Sequence, residues 1–244
     1  MGALEVGPHE ASSERFVLVA PDGTPVDAIH AAPAASADAG VVVHPDMLGV
    51  RELFDDLCRR VATHGFAVVC AEPFGHFPVD VRAGDATVRM THMKQMDDDV
   101  QLGDLAAAAD LLRERDRVAR VSIIGFCMGA MYTLKAAATG VFDRAVPFYG
   151  MIRVPDGWRG PAQRDALDTA GQVCPTLAIF GGKDPWVPLD DVEALRAAWR
   201  DRDDCEIVLY PDADHGFVHG IERPAHRPDD AADAWRRALA FLRR

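Results

Sequence analysis

The chain has 244 residues, 49% of them hydrophobic, enough to fill one sizeable core. Its formal charge of −12 argues against nucleic acid or an anionic membrane surface as a partner, and no apolar run approaches the roughly 18 residues of a membrane-crossing helix. Residues 1–15 lack the basic start and apolar stretch of a secretion signal. The five cysteines (Cys58, Cys70, Cys127, Cys174, Cys205) contain no CxxC pair, so a reduced, cytoplasmic chain without a disulfide framework, metal or zinc site is expected.

Residues 15–20 and 25–32 flank the turn Pro21-Asp22-Gly23 and read as an antiparallel hairpin. The β-branched run at 40–44 reads as a strand buried on both faces. In 51–64, Leu53, Leu57 and Val61 recur every four residues, which predicts a helix ending at Gly65, followed by a buried strand at 66–71. Residues 72–95 read as a long irregular excursion of the kind that carries function. A helix over 97–115 follows, its Asp97-Asp98-Asp99 run read as a solvated N-terminus favoured by the helix dipole. Then come a strand at 120–126, a helix opening at Cys127, a strand at 144–150 and a second loop over 151–173. The chain ends with a strand at 176–182, a helix from Asp191, a strand at 205–211 and a helix at 230–243. This order predicts a single α/β domain over 1–244, with a mostly parallel sheet covered by helices on both faces. Ligands of such sheets bind beyond the carboxyl ends of the strands, which places the chemistry near residues 44, 71, 126, 149, 182 and 211.

Gly125-Phe126-Cys127-Met128-Gly129 is a G-x-C-x-G version of the nucleophile elbow, in which a strained strand-to-helix turn requires small neighbours. Taken alone, it fits a small core cysteine equally well. Asp184 lies just past a buried strand in a Gly/Pro-rich loop, and His215 follows another strand end; of the other histidines only His44 and His76 are comparably placed. Cys127, Asp184 and His215 thus come in the order nucleophile, acid, histidine, each beyond a different strand, which is the order of the α/β-hydrolase triad. The loop after the strand at 40–44 and the residue after the nucleophile supply the oxyanion N–H groups in that arrangement, which assigns Met47 and Met128. Asp46 lies beside them. Phe126, Tyr149, Trp186, Phe217 and the two long loops are the candidate walls of a substrate pocket.

The motifs "GFCMGA", "FGGKDPWVP" and "DADHGF", supported by "HPDMLGVRE", "GDLAAAADLLR" and "DRAVPFYG", resemble the dienelactone hydrolase (carboxymethylenebutenolidase) family over nearly the whole chain. The resemblance implies an α/β-hydrolase fold of about eight strands and hydrolysis of a lactone or activated ester through a thioester, without a cofactor. It also implies a catalytic role for Asp46, where members acting on dienelactone carry a glutamate that takes the nucleophile's proton. Such members hold a substrate carboxylate with two arginines. One lies four residues after the histidine, where this chain has His219; the other lies in the loop containing Arg82 and Arg89. The expected partner is a small ester or lactone, and the expected assembly a monomer or small homo-oligomer. A general carboxylesterase of the same fold, or a non-catalytic ligand receptor or thiol-redox sensor, are the alternatives.

Overall fold

The computed structural model describes residues 3–244. Its strands are β1 (Ala11–Val19), β2 (Pro25–Pro33), β3 (Ala39–His44), β4 (Phe66–Ala71), β5 (Val121–Phe126), β6 (Ala145–Phe148), β7 (Thr176–Gly181) and β8 (Cys205–Tyr210). They form one sheet in the order β1-β2-β4-β3-β5-β6-β7-β8. β1 pairs antiparallel with β2, and β2 antiparallel with β4; the remaining neighbours are parallel. Every residue of β3 through β7 is buried. That is why these strands read as unbroken apolar runs rather than as alternating patterns.

The helices are α1 (Glu52–Ala62), α2 (Val79–Arg82), α3 (Ala86–His92), α4 (Asp98–Arg115), α5 (Met128–Ala136), α6 (Leu189–Ala198) and α7 (Pro228–Arg243). Two apolar clusters fill the interior. One takes Leu105, Met131 and Leu195 from α4, α5 and α6; the other takes Leu57, Trp235 and Leu242 from α1 and α7. The sheet is therefore covered on both faces. Among the described residues, no helix is long and apolar enough to cross a membrane.

Three local features depart from the sequence reading. The segment 72–95 contains α2, α3 and a 3-10 turn at Met93–Gln95, with Asp85 capping α3 by accepting from the amides of Thr87 and Val88. In α1 the buried face is carried by Phe54, Leu57, Cys58 and Val61, while Leu53 is only half-buried. The aspartate run is not uniformly solvated. Asp97 caps α4, but Asp98 is 1% exposed and receives Lys135 Nζ at 2.7 Å and the Arg164 amide at 2.8 Å. Successive helix positions point about 100° apart, so one of three adjacent aspartates can face α5 while its neighbours face water.

Asp98 joins α4, α5 and the segment before β7 through a buried charge pair. Removing one partner of such a pair costs about 3–5 kcal/mol, whereas replacing both is far milder. Lys135→Met should therefore lower stability in urea unfolding by an amount of that order, and Asp98→Asn added to it should restore much of the loss.

Candidate active site

The site starts from the end of β5. Cys127 has φ 56 and ψ −120, a left-handed conformation costly for a non-glycine residue. Its amide donates to Phe148 O at 3.1 Å, which ties the turn to the end of β6. The glycines on either side make this possible. A Cβ at Gly125 would lie 2.2 Å from Thr133 Oγ1, and one at Gly129 would lie 2.3 Å from the carbonyl oxygens of both His44 and Pro45. α5 thus leaves the elbow pressed against the exit of β3, whose His44 is already paired with Gly125. Met128 is the first residue of α5, where a helix amide has no partner within the helix.

Past β3 the chain turns at Asp46, whose carbonyl accepts from the Gly49 amide at 2.8 Å and whose Oδ1 accepts from the Leu48 amide at 3.0 Å. Met47 sits inside that turn. Its carbonyl receives Arg89 Nη1 at 3.2 Å, and Arg89 in turn donates to Glu72 Oε1 at 2.7 Å. Glu72 also accepts from the amides of Val50, at 2.8 Å, and Phe74, at 3.1 Å. Gly49 has φ +66, and a Cβ there would fall 2.1 Å from Glu72 Oε2, so the turn can close only on glycine. Glu72 and Arg89, both buried, hold the Met47 turn from behind.

Asp184 and His215 meet across the ends of β7 and β8. A Cβ at Gly181 would lie 2.4 Å from Ala213 O and one at Gly182 2.6 Å from Pro211 O, so the glycine pair lets the two exits pass closely. Asp184 Oδ1 accepts from the Trp186 amide at 2.8 Å, and Oδ2 accepts from His215 Nδ1 at 2.7 Å. This fixes Nδ1 as the protonated nitrogen. Nε2 is buried without a hydrogen-bond partner, and the Cys127 sulfur is close enough to act on its charge. Burial alone would lower the His215 pKa; the hydrogen bond and charge of Asp184, with the nearby Cys127 sulfur, outweigh it and raise the pKa to about 10. His44, by contrast, is pushed down to about 3 by burial and stays neutral, packed on Tyr132. His76 pairs with Asp104 and Asp22, away from the elbow.

Cys127 and His215 open into a cavity of about 220 Å3 that is also lined by Asp46, Met47, Leu48, Ala86, Met90, Trp158, Trp186 and Arg223. The segments 72–95 and 151–173 supply its far wall through α3 and Trp158. Trp158 packs against Trp186 with ring centroids 5.6 Å apart.

Of the substrate contacts expected from the sequence, Trp186 lines this cavity, half-exposed at 43%. Phe126 and Phe217 are instead fully buried, Phe126 stacked on Phe148 at 5.1 Å. Tyr149 and His219 are also fully buried, joined to each other by a hydrogen bond behind the cavity. Arg82 points to Asp27 on the surface, and Arg89 is engaged with Glu72. Asp46 lies at the cavity edge, but its carboxylate is paired with Arg51 and His219. Met90, Trp158 and Arg223 line the cavity without having been singled out. Trp158 and Arg223 lie in irregular segments and Met90 in α3, a helix too short for its periodicity to reveal which side chain turns inward. Among the described residues, Arg223 is the one cation lining the cavity besides His215.

An antiparallel start, a parallel sheet of this order, an elbow after β5 and an acid and histidine after β7 and β8 define an α/β-hydrolase. The chain belongs to the dienelactone hydrolase family, whose model matches residues 26–244, and is a carboxylic ester hydrolase of that family. It is 30% identical over 249 residues to an Escherichia coli K12 protein named "Putative carboxymethylenebutenolidase", covering 97% of this chain and 89% of that one. It is 24% identical over 231 residues to the carboxymethylenebutenolidase of Rhodococcus opacus, covering 92% of this chain and 88% of that one. The crystal structure of a "Putative Dienelactone Hydrolase" from Klebsiella pneumoniae superposes with a TM-score of 0.87 at 28% identity, covering 96% of this chain and 99% of that one.

Two measurements check the geometry. Gly129→Ala should abolish activity or soluble folding, because the clash is with backbone that cannot move aside. The charged His215 contributes stability that is complete below its ordinary pKa of 6.5 and is lost as pH rises through about 10. NMR of the imidazole ring should show it titrating near 10, and Asp184→Asn should bring it down by at least about one unit.

Proposed function

We propose that this chain hydrolyses small lactones and activated, enol-type esters by acyl transfer through Cys127. The observation that carries the reading is Cys127 on a strained turn, sharing one cavity with a His215 held by Asp184 and charged at neutral pH. His215 as imidazolium pairs with the Cys127 thiolate, which attacks the carbonyl carbon. The amides of Met47 and Met128 receive the oxyanion. As the tetrahedral intermediate collapses, the C–O bond breaks and the leaving oxygen takes the proton from His215 Nε2. The resulting thioester is attacked by water, whose proton passes to the now neutral His215. The C–S bond then breaks, the acid departs and the thiolate–imidazolium pair is restored.

Sulfur narrows the substrates. A thiolate leaves a tetrahedral intermediate more readily than an alkoxide, so the forward path needs a good oxygen leaving group, as enol esters and strained lactones have. The same requirement disfavours amides and plain alkyl esters, and with them a general carboxylesterase. Arg223 is placed to hold an anionic substituent of the substrate, offsetting locally a chain of formal charge −12. Gly216, with φ +79, is where its guanidinium rests; a Cβ there would lie 2.7 Å from Arg223 Cζ. A redox sensor needs neither Asp184 nor the Met47 turn, and one that worked through an internal disulfide would need a partner thiol. Cys58 and Cys70 are fully buried, and Cys174 and Cys205 lie at the starts of β7 and β8, the opposite edge of the sheet from Cys127.

With an activated aryl ester, Cys127→Ala and His215→Ala should each lose roughly a thousandfold or more in kcat/KM. Wild-type turnover by either variant would overturn the thioester route. Arg223→Ala should raise KM about tenfold, near 1.4 kcal/mol, for a carboxylate-bearing ester while leaving a neutral ester unchanged. An equal change for both esters would remove the anionic contact.

A further inference from the structure

Behind the cavity runs a buried polar chain that the acyl-transfer steps do not use. Asp46 Oδ1 accepts from the Leu48 amide at 3.0 Å and from Arg51 Nη1 at 2.7 Å; Oδ2 accepts from Arg51 Nη2 at 2.8 Å and from His219 Nε2 at 2.9 Å. A carboxylate offers about four acceptor positions, and four donors occupy them. The His219 hydrogen is thereby fixed on Nε2, so Nδ1 accepts, and the Tyr149 hydroxyl donates to it. Burial lowers the pKa of His219, which keeps the ring neutral and the donor–acceptor order intact.

Each end of the chain touches the proposed machinery. Asp46 sets the turn that holds Met47. Tyr149, with φ 45, is pinned by its amide to Ile179 O at 2.7 Å, and its ring meets the His215 ring edge-on at 5.1 Å. The middle of the chain has no room to turn: His219 is 0% exposed, stacked on Phe54 at 6.1 Å and against Phe126 at 5.3 Å. Arg223 Nη1 lies 3.4 Å from His219 Nε2, and the charges of Arg223 and Arg51 both help to keep the ring neutral.

We propose that Tyr149 and His219 are positioning residues, which with Asp46 form one rigid hydrogen-bonded chain coupling the Met47 oxyanion turn to the seat of His215. This rests on the acyl-transfer reading above. It departs from the role that the family resemblance implied for position 46. With its four acceptor positions filled and Arg51 balancing its charge, Asp46 holds the turn and does not take the Cys127 proton. An apolar filling of the same volume would pack as well or better, so the polar chain serves geometry, which fixed hydrogen bonds specify and apolar contacts do not.

The test is pre-steady-state acylation of the full chain by a neutral activated aryl ester, read as burst rate, with KM and the melting temperature measured alongside. Tyr149→Phe removes one hydroxyl and His219→Leu removes the link. Each should slow acylation, His219→Leu by roughly 10- to 100-fold, with KM within about threefold of wild type. His219→Gln, neutral and able to donate and accept, should recover most of the rate. The Tyr149→Phe/His219→Leu pair should be no slower than His219→Leu alone, because one chain is cut once. Wild-type burst rates in both single variants would overturn the coupling, as would a Gln variant as slow as the Leu variant at equal melting temperature. If His219→Leu does not fold, Tyr149→Phe and His219→Gln decide alone: a slowed Phe variant with a near-wild-type Gln variant supports the chain, and any other pattern overturns it. Wild-type turnover by Cys127→Ala would instead overturn the thioester reading, which keeps the two failures distinct; where deacylation is faster than acylation and no burst forms, the same comparison of variants is read from kcat/KM.

Discussion

The structure depends on one close approach. For Cys127 to stand clear of both strand and helix, its backbone must enter the left-handed region at φ 56, a strain on the order of 1–3 kcal/mol. The strain persists because the surroundings leave no alternative. The turn is tied to Phe148 O, and Gly125 and Gly129 let α5 press on backbone at the exit of β3. That same pressure brings the Asp46–Gly49 turn alongside the first turn of α5. A side chain at Gly129 would push the Asp46–Gly49 turn and Cys127 apart.

Around this point the charged groups fall into two kinds. Arg51–Asp46 and Arg89–Glu72 are paired ions that also hydrogen-bond backbone of the 46–50 turn and its neighbours, so they act as fixed braces. The His215–Asp184 pair is different, because one of its nitrogens is left without a partner and faces the sulfur. Burial would discharge His215, and the carboxylate beneath it prevents this. A buried imidazole nitrogen left free while its partner nitrogen is held by a carboxylate is the arrangement expected where a proton must move.

How much of this could be read in the chain follows from what each feature depends on. The buried strands are runs such as Gly40–His44 and Phe66–Ala71, whose composition is itself the consequence of burial on two faces, so they were legible almost to the residue. That Cys127, Asp184 and His215 come together at the ends of β5, β7 and β8 was legible because strand ends converge on one edge of the sheet. Side-chain direction around the short helix α3 and at the start of α4 was not. Nothing in the spacing says that Arg89 turns back to Glu72 while Met90 beside it lines the cavity, or that Asp98 faces Lys135 while Asp97 and Asp99 face water. Aromatic residues near strand ends were the least informative. Phe126, Tyr149 and Phe217 are needed to fill the sheet-to-helix layer directly under the site, and a packing residue there has the same sequence signature as a binding one.

The position four residues after the histidine joins these observations. His219 cannot reach the substrate, because it is enclosed by Phe54, Phe126 and Tyr149 and bonded at both ring nitrogens. The positive charge facing the cavity comes instead from Arg223, on a stretch with few hydrogen bonds of its own that passes over Gly216. Arg223 still touches the buried chain, its Nη1 lying 3.4 Å from His219 Nε2. On the proposed reading, the groups that hold the Asp46 turn and the seat of His215 are fixed by burial, while the contact to an anionic group falls to a half-exposed side chain resting on Gly216. The two sets of groups meet at this one contact, so a side chain free to follow the substrate leans on a ring that its surroundings keep fixed.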